Sequence, residues 1–290
     1  MGNGRTEVGH FARRRPSIIR PLRANDAETA GHADRRVVRS VHHGNESARL
    51  DLRYGPGARL LSVTISSETT NPLSAQTIAT TVATIIKATD TKSAHESPSA
   101  PAPVIFRTPA ITRAEAAPYV QSGFEPISVL RLLAHDLRIG SWTMPSRAPA
   151  AVELRRGRRG DLAQCVEIDE RAFGLDRSFD THDLLAALDA TDRSRLRVAV
   201  NPHGQPVAFA VTGRAGTRGY LQRLAVDPNF AGAGIGAALV DDALHWCRRR
   251  GGRRIVVNTQ SDNARALALY RRLGFVDMPL DLLLLERRGH

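Results

Sequence analysis

Between Tyr220 and Gly236 the chain reads Tyr-Leu-Gln-Arg-Leu-Ala-Val-Asp-Pro-Asn-Phe-Ala-Gly-Ala-Gly-Ile-Gly. The apolar run Leu221 to Val226 has strand length and is closed by Asp227-Pro228. Gly232, Gly234 and Gly236 then alternate with Ala233 and Ile235. A helical pattern begins at once, with Ile235, Leu239, Ala243 and Cys247 recurring every four residues beside Val240 and Leu244. A strand, a glycine-rich loop and a helix start together form an anion-binding arrangement. Glycine lets backbone N–H groups crowd a phosphate, and the unpaired amides of the first helical turn point at it. Taken alone, the glycines also fit a sharp turn without a ligand. A dinucleotide-binding fold would carry an acidic ribose-binding residue about twenty positions on. That region holds Arg248, Arg249, Arg250, Gly251, Gly252, Arg253 and Arg254, which argues against it.

A second pattern lies beyond the arginines: Asn263-x-x-Ala266-x-x-x-Tyr270-x-x-x-Gly274-Phe275. Residues seven apart lie nearly on one helical face, about 10 Å apart along the axis. Asn263, Ala266 and Tyr270 can therefore face one extended ligand. Asn263 also ends the cap-rich run Ser261-Asp262-Asn263, so capping its own helix is a compatible role. Tyr270 on an apolar helix is equally suited to a place in the core.

The chain repeats itself. Val104-Ile105-Phe106-Arg107-Thr108 matches Ile255-Val256-Val257-Asn258-Thr259, and at the same offset Tyr119-x-x-x-Gly123-Phe124 falls on Tyr270-x-x-x-Gly274-Phe275. Leu132 and Leu133 then fall on Leu283 and Leu284. Strand, helix, Gly-Phe and strand recur in one order, which points to duplication. The first copy lacks the glycine loop: Val63-Thr64-Ile65-Ser66 leads into Thr70-Asn71-Pro72-Leu73. Thr112 stands in the place of Asn263, and Pro118 is expected to disturb the helix before Tyr119.

The expected organisation is a disordered basic tail over 1–35, a degenerate domain over 36–137, a linker over 138–150 and a working domain over 151–290. Strands are expected over 36–42, 48–54, 58–66, 104–108 and 127–133, with helices over 73–88 and 113–122. In the second half Asp161 with Gln164 has capping-box spacing for a helix to about Phe173, and Thr181 is expected to cap another. Strands at 195–200 and 206–212 flank the turn tetrad Asn201-Pro202-His203-Gly204. The central strand and its helix come next. A strand at 254–259, a helix at 263–273 and a last strand from Phe275 complete the order.

Net charge is +12, carried by arginine, since Lys87 and Lys92 are the only lysines. Aromatics are 5% and the arginines are dispersed, which favours a basic enzyme over a nucleic-acid binder. Cys165 and Cys247 exclude both a disulfide scaffold and a four-cysteine zinc site, and each falls on an amphipathic helix as a small hydrophobe. His182, His203 and His245 show no metal spacing, and His245 is expected to face solvent. With no stretch of membrane-span length and no signal-type apolar core, a cytoplasmic protein is expected.

The loop and the asparagine–tyrosine pattern, separated by one helix and one strand, together resemble the GNAT family of N-acetyltransferases over residues 151–288. The resemblance implies an α+β (α/β) fold of tandem domains, each a mixed, mostly antiparallel sheet flanked by helices. In the C-terminal copy it implies splayed central strands that open a cleft for acetyl-CoA. Backbone groups of Leu224, Ala225 and Val226 would meet the pantetheine and the thioester. Amides of Gly232, Ala233, Gly234, Ile235, Gly236 and Ala237 would hold the pyrophosphate. Asn263 would bond the pantetheine arm, and Tyr270 would protonate the departing thiolate. The acceptor implied is a primary amine of a small molecule or a protein, with no metal involved. Two departures stand out. The family's Arg or Gln at the first loop position is Ala231, and the central strand carries Tyr220, Gln222 and Arg223 but no carboxylate to act as base. Glu167, Asp169, Glu170, Asp176 and Asp180 are the alternatives for that role. The competing class is a non-catalytic acyl-CoA-binding or interaction module.

Overall fold

The computed structural model describes residues 35–54, 60–69, 71–93, 104–138, 149, 152–174 and 177–289. The basic tail and most of the expected linker lie outside the described residues, as does Asp176. The chain forms two compact units, Met1–Val129 with Leu282–His290, and Leu130–Asp281.

In the first unit β1 (Arg35–His43), β2 (Glu46–Tyr54) and β3 (Leu60–Ser67) form an antiparallel meander. Helix α1 (Ala75–Ser93) then carries the chain to β4 (Ile105–Arg107), which lies parallel to β3. Ile78, Val82 and Ile85 recur at helical spacing and are buried, which is why this stretch is a helix with one face on the sheet. The short β5 (Ile111–Thr112) leads into α2 (Arg113–Gln121). Thr112 and Glu115 form a reciprocal cap there, with bonds of 3.3 and 2.8 Å. Contrary to the sequence expectation, α2 runs through Pro118. The proline lacks one N–H donor, but the Ser122 hydroxyl, 2.8 Å from the Pro118 carbonyl and 2.9 Å from the Ala75 carbonyl, shares its one proton between them and ties down the helix end. Phe106, Phe124, Ile65 and Ile78 centre this core.

Strand β6 (Glu125–Asp136) begins in the first unit and pairs in the second from Leu130 on. After it come β7 (Glu153–Arg156), α3 (Leu162–Phe173), α4 (Thr181–Asp189), β8 (Arg193–Val200), β9 (Pro206–Ala215) and β10 (Arg218–Val226). Helix α5 (Ile235–Arg249), β11 (Arg254–Gln260), α6 (Ala264–Arg272) and β12 (Val276–Arg288) complete the chain. The second unit's sheet runs β6-β11-β10-β9-β8-β7, with β10 and β11 parallel and the other neighbours antiparallel. Residues 286–288 of β12 pair with β4, in the first unit. Each unit therefore takes a strand from the opposite copy of the repeat.

In the second unit α5 covers one sheet face through Ile235, Leu239, Ala243 and Cys247, the four-residue recurrence expected of it. Helices α3 and α4 cover the other face around Ile168, Leu184 and Phe209. Two caps differ from the expectation. Asp161 closes a tight turn begun at Arg158, accepting its N–H at 2.6 Å and pairing with Arg155 at 2.7 Å, so its carboxylate faces backwards and leaves the α3 amides alone. Asp180 rather than Thr181 caps α4, accepting from the Asp183 N–H at 2.7 Å, because it is the last extended residue before the helix. The Asn201–Gly204 turn forms as expected. His245 is not turned to solvent: its Nδ1 lies 2.8 Å from the Asp241 carbonyl one turn back.

Candidate active site

The site is organised by a parting of strands. β10 and β11 pair over Arg218↔Arg254, Gly219↔Ile255 and Tyr220↔Val256, and beyond that both continue unpaired with each other, to Val226 and Gln260. β10 keeps β9 as its partner throughout. The Asp227 N–H donates to the Val207 carbonyl at 2.9 Å. Antiparallel ladders alternate hydrogen-bonded and open residues, so Ala225 also faces β9. Leu224 and Val226 then turn their backbone N–H and C=O groups toward the side that β11 has left. A β-bulge between Leu221 and Arg223 adds one residue at Gln222 and re-aims the rest of the strand. Arg223 and Ala225 therefore project toward α3 and α4, while Leu224 and Val226 pack with the α5 side.

At the end of β10, Asp227 caps a single turn, Pro228–Phe230, with an Asn229 N–H bond of 2.9 Å, and the glycine loop comes next. Gly232 and Gly234 have φ of +86° and +81°, values that a side chain disfavours. The first helical N–H to find a protein acceptor is that of Ala238, bonded to the Gly234 carbonyl at 3.1 Å. The amides from Gly232 to Ala237 thus have no protein acceptor among the described residues, and Gly232, Ala233 and Gly234 are exposed. At Gly236 an added Cβ would meet only ordinary contacts, 3.5 Å to Leu269 and 3.6 Å to Val226. The protein's own packing does not demand glycine at 236. Ala231 is exposed and contributes no polar group.

Asn263 caps α6, its Oδ1 accepting from the Ala266 N–H at 3.0 Å. Its Nδ2 has no acceptor among the described residues, so capping leaves a donor available. Tyr270 is buried in the α5-side core and packs on Phe275 with ring centroids 5.5 Å apart. Burial pushes its phenol well above the usual range, and the nearby Arg223 charge partly opposes this. The phenol is therefore protonated at neutral pH, the state an acid requires, and it has no hydrogen-bond partner among the described residues.

Of the carboxylates weighed as bases, Asp169 is wholly buried and engaged by Arg223. Glu167 is exposed and lies 3.7 Å from Arg171, Glu170 is exposed, and Asp180 caps α4. The structure thus sets the glycine loop directly after β10 and puts Asn263 and Tyr270 at the cap and on the buried face of α6, and none of these carboxylates stands free on the strand. What sequence reasoning missed is the Arg223–Asp169 pair with Phe173 and Phe179 around it. Arg223 was visible on the strand, but no local pattern names its partner. Among the described residues no cluster of His, Cys, Asp and Glu could hold a metal, and no helix is long and apolar enough to cross a membrane.

Residues 162–275 match the acetyltransferase (GNAT) family. A mycothiol acetyltransferase from Saccharomonospora viridis is 31% identical over 156 residues, 49% of this chain and 51% of that protein. The chain thus matches about half the length of such relatives. A ribosomal protein bS18-alanine N-acetyltransferase from Escherichia coli is 30% identical over 115 residues, 40% of this chain and 74% of that one. The solved structure of a tandem GNAT protein from the clavulanic acid biosynthesis pathway shares the fold at 16% identity, with a TM-score of 0.59 over 90% of this chain and 85% of that one. Shared motifs, shared fold and a relative matched over most of its length lead to one statement: the chain belongs to the GNAT acetyltransferase family.

Proposed function

We propose that the C-terminal copy is an N-acetyltransferase that moves the acetyl group of acetyl-CoA to a primary amine by direct attack. The observation that carries this is the parting of β10 from β11 after Tyr220, which leaves the Leu224 and Val226 backbone unpaired beside a loop of unpaired amides. An extended pantetheine fits as a surrogate strand, and the pyrophosphate takes the amides of Gly232 to Ala237 at the α5 N-terminus. Asn263 Nδ2 is available to the arm.

The neutral amine nitrogen attacks the thioester carbonyl, and the oxygen gains charge that a backbone N–H at Leu224 stabilises. The C–S bond breaks, the Tyr270 hydroxyl gives its proton to the thiolate, the amine's surplus proton leaves to solvent, and solvent returns a proton to the Tyr270 phenolate. The acceptor is a primary amine of a small molecule or a protein, and use of acetyl-CoA places the reaction in the cytoplasm.

The engagement of Asp169 by Arg223 favours a second reading, a non-catalytic acyl-CoA-binding module. Calorimetry with acetyl-CoA, followed by CoA thiol release across a panel of primary amines at several pH values, separates the two. Binding with amine-dependent release supports transfer. Binding with no release at any pH favours the module, and no binding removes both.

A further inference from the structure

Arg223 stands between the bulge residue Gln222 and Leu224, and its guanidinium is held through Nε and Nη2. Nε donates to Asp169 Oδ1 at 2.8 Å and Nη2 to Asp169 Oδ2 at 2.5 Å, while Nη2 also reaches the Arg177 carbonyl at 2.9 Å. The planar group lies 3.8 Å from the Phe173 ring centroid and 4.0 Å from that of Phe179. Asp169 has no exposed surface and also accepts the Phe179 N–H at 2.6 Å. One buried carboxylate and one guanidinium thus bind the end of α3 and the approach to α4 onto the central strand, next to the residue whose N–H would polarise a thioester.

Stability alone is a poor reason for such a pair, since a buried ion pair about breaks even against apolar packing. What a two-pronged guanidinium packed on two aromatic rings supplies is fixed geometry, which the single ammonium of lysine does not reproduce.

We propose that Arg223 is a positioning residue for acetyl transfer: with Asp169 it locks Phe173, Arg177 and Phe179 against β10 and so fixes where an acceptor amine meets a thioester held at Leu224. The role rests on the acetyl-transfer reading above. Its partner Asp169 acts through Arg223 and is not the base.

The test uses the full chain, acetyl-CoA and hydroxylamine as a small amine probe. Arg223→Lys keeps the charge but loses the fork. The double variant D169N/R223M removes both charges together, so no orphaned ion threatens folding. In each, acetyl-CoA affinity by calorimetry stays within about two-fold of wild type, because the loop amides are untouched. Turnover falls by at least about ten-fold, and amide hydrogen exchange over 177–180 speeds up. Turnover within about two-fold of wild type in either variant overturns the positioning role while leaving acetyl transfer standing. A wild-type protein that neither binds nor turns over acetyl-CoA overturns the transfer reading, and this role with it.

Discussion

The Tyr119 hydroxyl donates to the Ile65 carbonyl at 3.2 Å. Its counterpart in the repeat, Tyr270, has no such partner among the described residues. Both tyrosines pack on the phenylalanine of a Gly-Phe pair, with centroids 5.4 Å apart for Tyr119 and Phe124 and 5.5 Å for Tyr270 and Phe275. The repeated scaffold is thus kept in both copies. In the first, the hydroxyl is closed onto β3 itself, and in the second it has no protein partner among the described residues.

For Tyr270 this predicts a separation of chemistry from binding. Tyr270→Phe keeps the ring and its packing but removes the proton, so turnover with a primary amine falls by about 10²-fold. Acetyl-CoA affinity, measured by calorimetry, changes little. An unaltered turnover number would remove the residue from its assigned role.

Tyr119→Phe behaves in the opposite way. It loses one buried hydrogen bond and leaves the Ile65 carbonyl unsatisfied, so stability in urea drops by about 1–2 kcal/mol. Turnover stays at the wild-type level. A change in acetyl-CoA stoichiometry from one site per chain would show that the first copy also binds cofactor.

Alkaline pH destabilises the protein through its buried thiols and phenol. Burial pushes Cys165 and Cys247 from the ordinary 9.0 up to about 12, and Tyr119 from 10.0 to about 12. Each folded pKa is raised, so the contribution is fully present below the unfolded values and is lost as pH rises from them through the folded ones. The melting temperature therefore holds to about pH 9 and falls beyond it. Cys165→Ala flattens part of that decline, and an unchanged slope in a pH series of melting curves would contradict the assignment.

At the glycine loop, where the proposed pyrophosphate site lies, Ala231 is exposed and carries no polar side chain. Ala231→Arg adds a charge-assisted contact and tightens acetyl-CoA binding about three- to ten-fold, an effect that weakens as salt is raised. Calorimetry at two salt concentrations checks it. Unchanged affinity would place the pyrophosphate elsewhere.

Much of the local structure could be read from residues alone. The recurrence of Ile235, Leu239, Ala243 and Cys247 and the position of Asn263 as a cap depend on neighbours a turn or two away. Some of the errors are also local. Asp180 rather than Thr181 caps α4, because either of two adjacent residues satisfies the same pattern, and a single side-chain rotation folds His245 back on the Asp241 carbonyl.

From the sequence by itself came the repeat, the order of strands and helices, the glycine loop ahead of α5 and the placement of Asn263 and Tyr270 on one helix. All of these depend on short-range periodicity and backbone preference. Splayed central strands were expected from the resemblance, but only the tertiary structure decided that β10 and β11 stop pairing at Tyr220 and Val256, that Arg223 finds Asp169, and that β6 joins β11 while the end of β12 joins β4. Strand partners and buried ion pairs are chosen among chemically similar candidates far apart in the chain. That choice is made by the packing of whole faces, which no local pattern encodes.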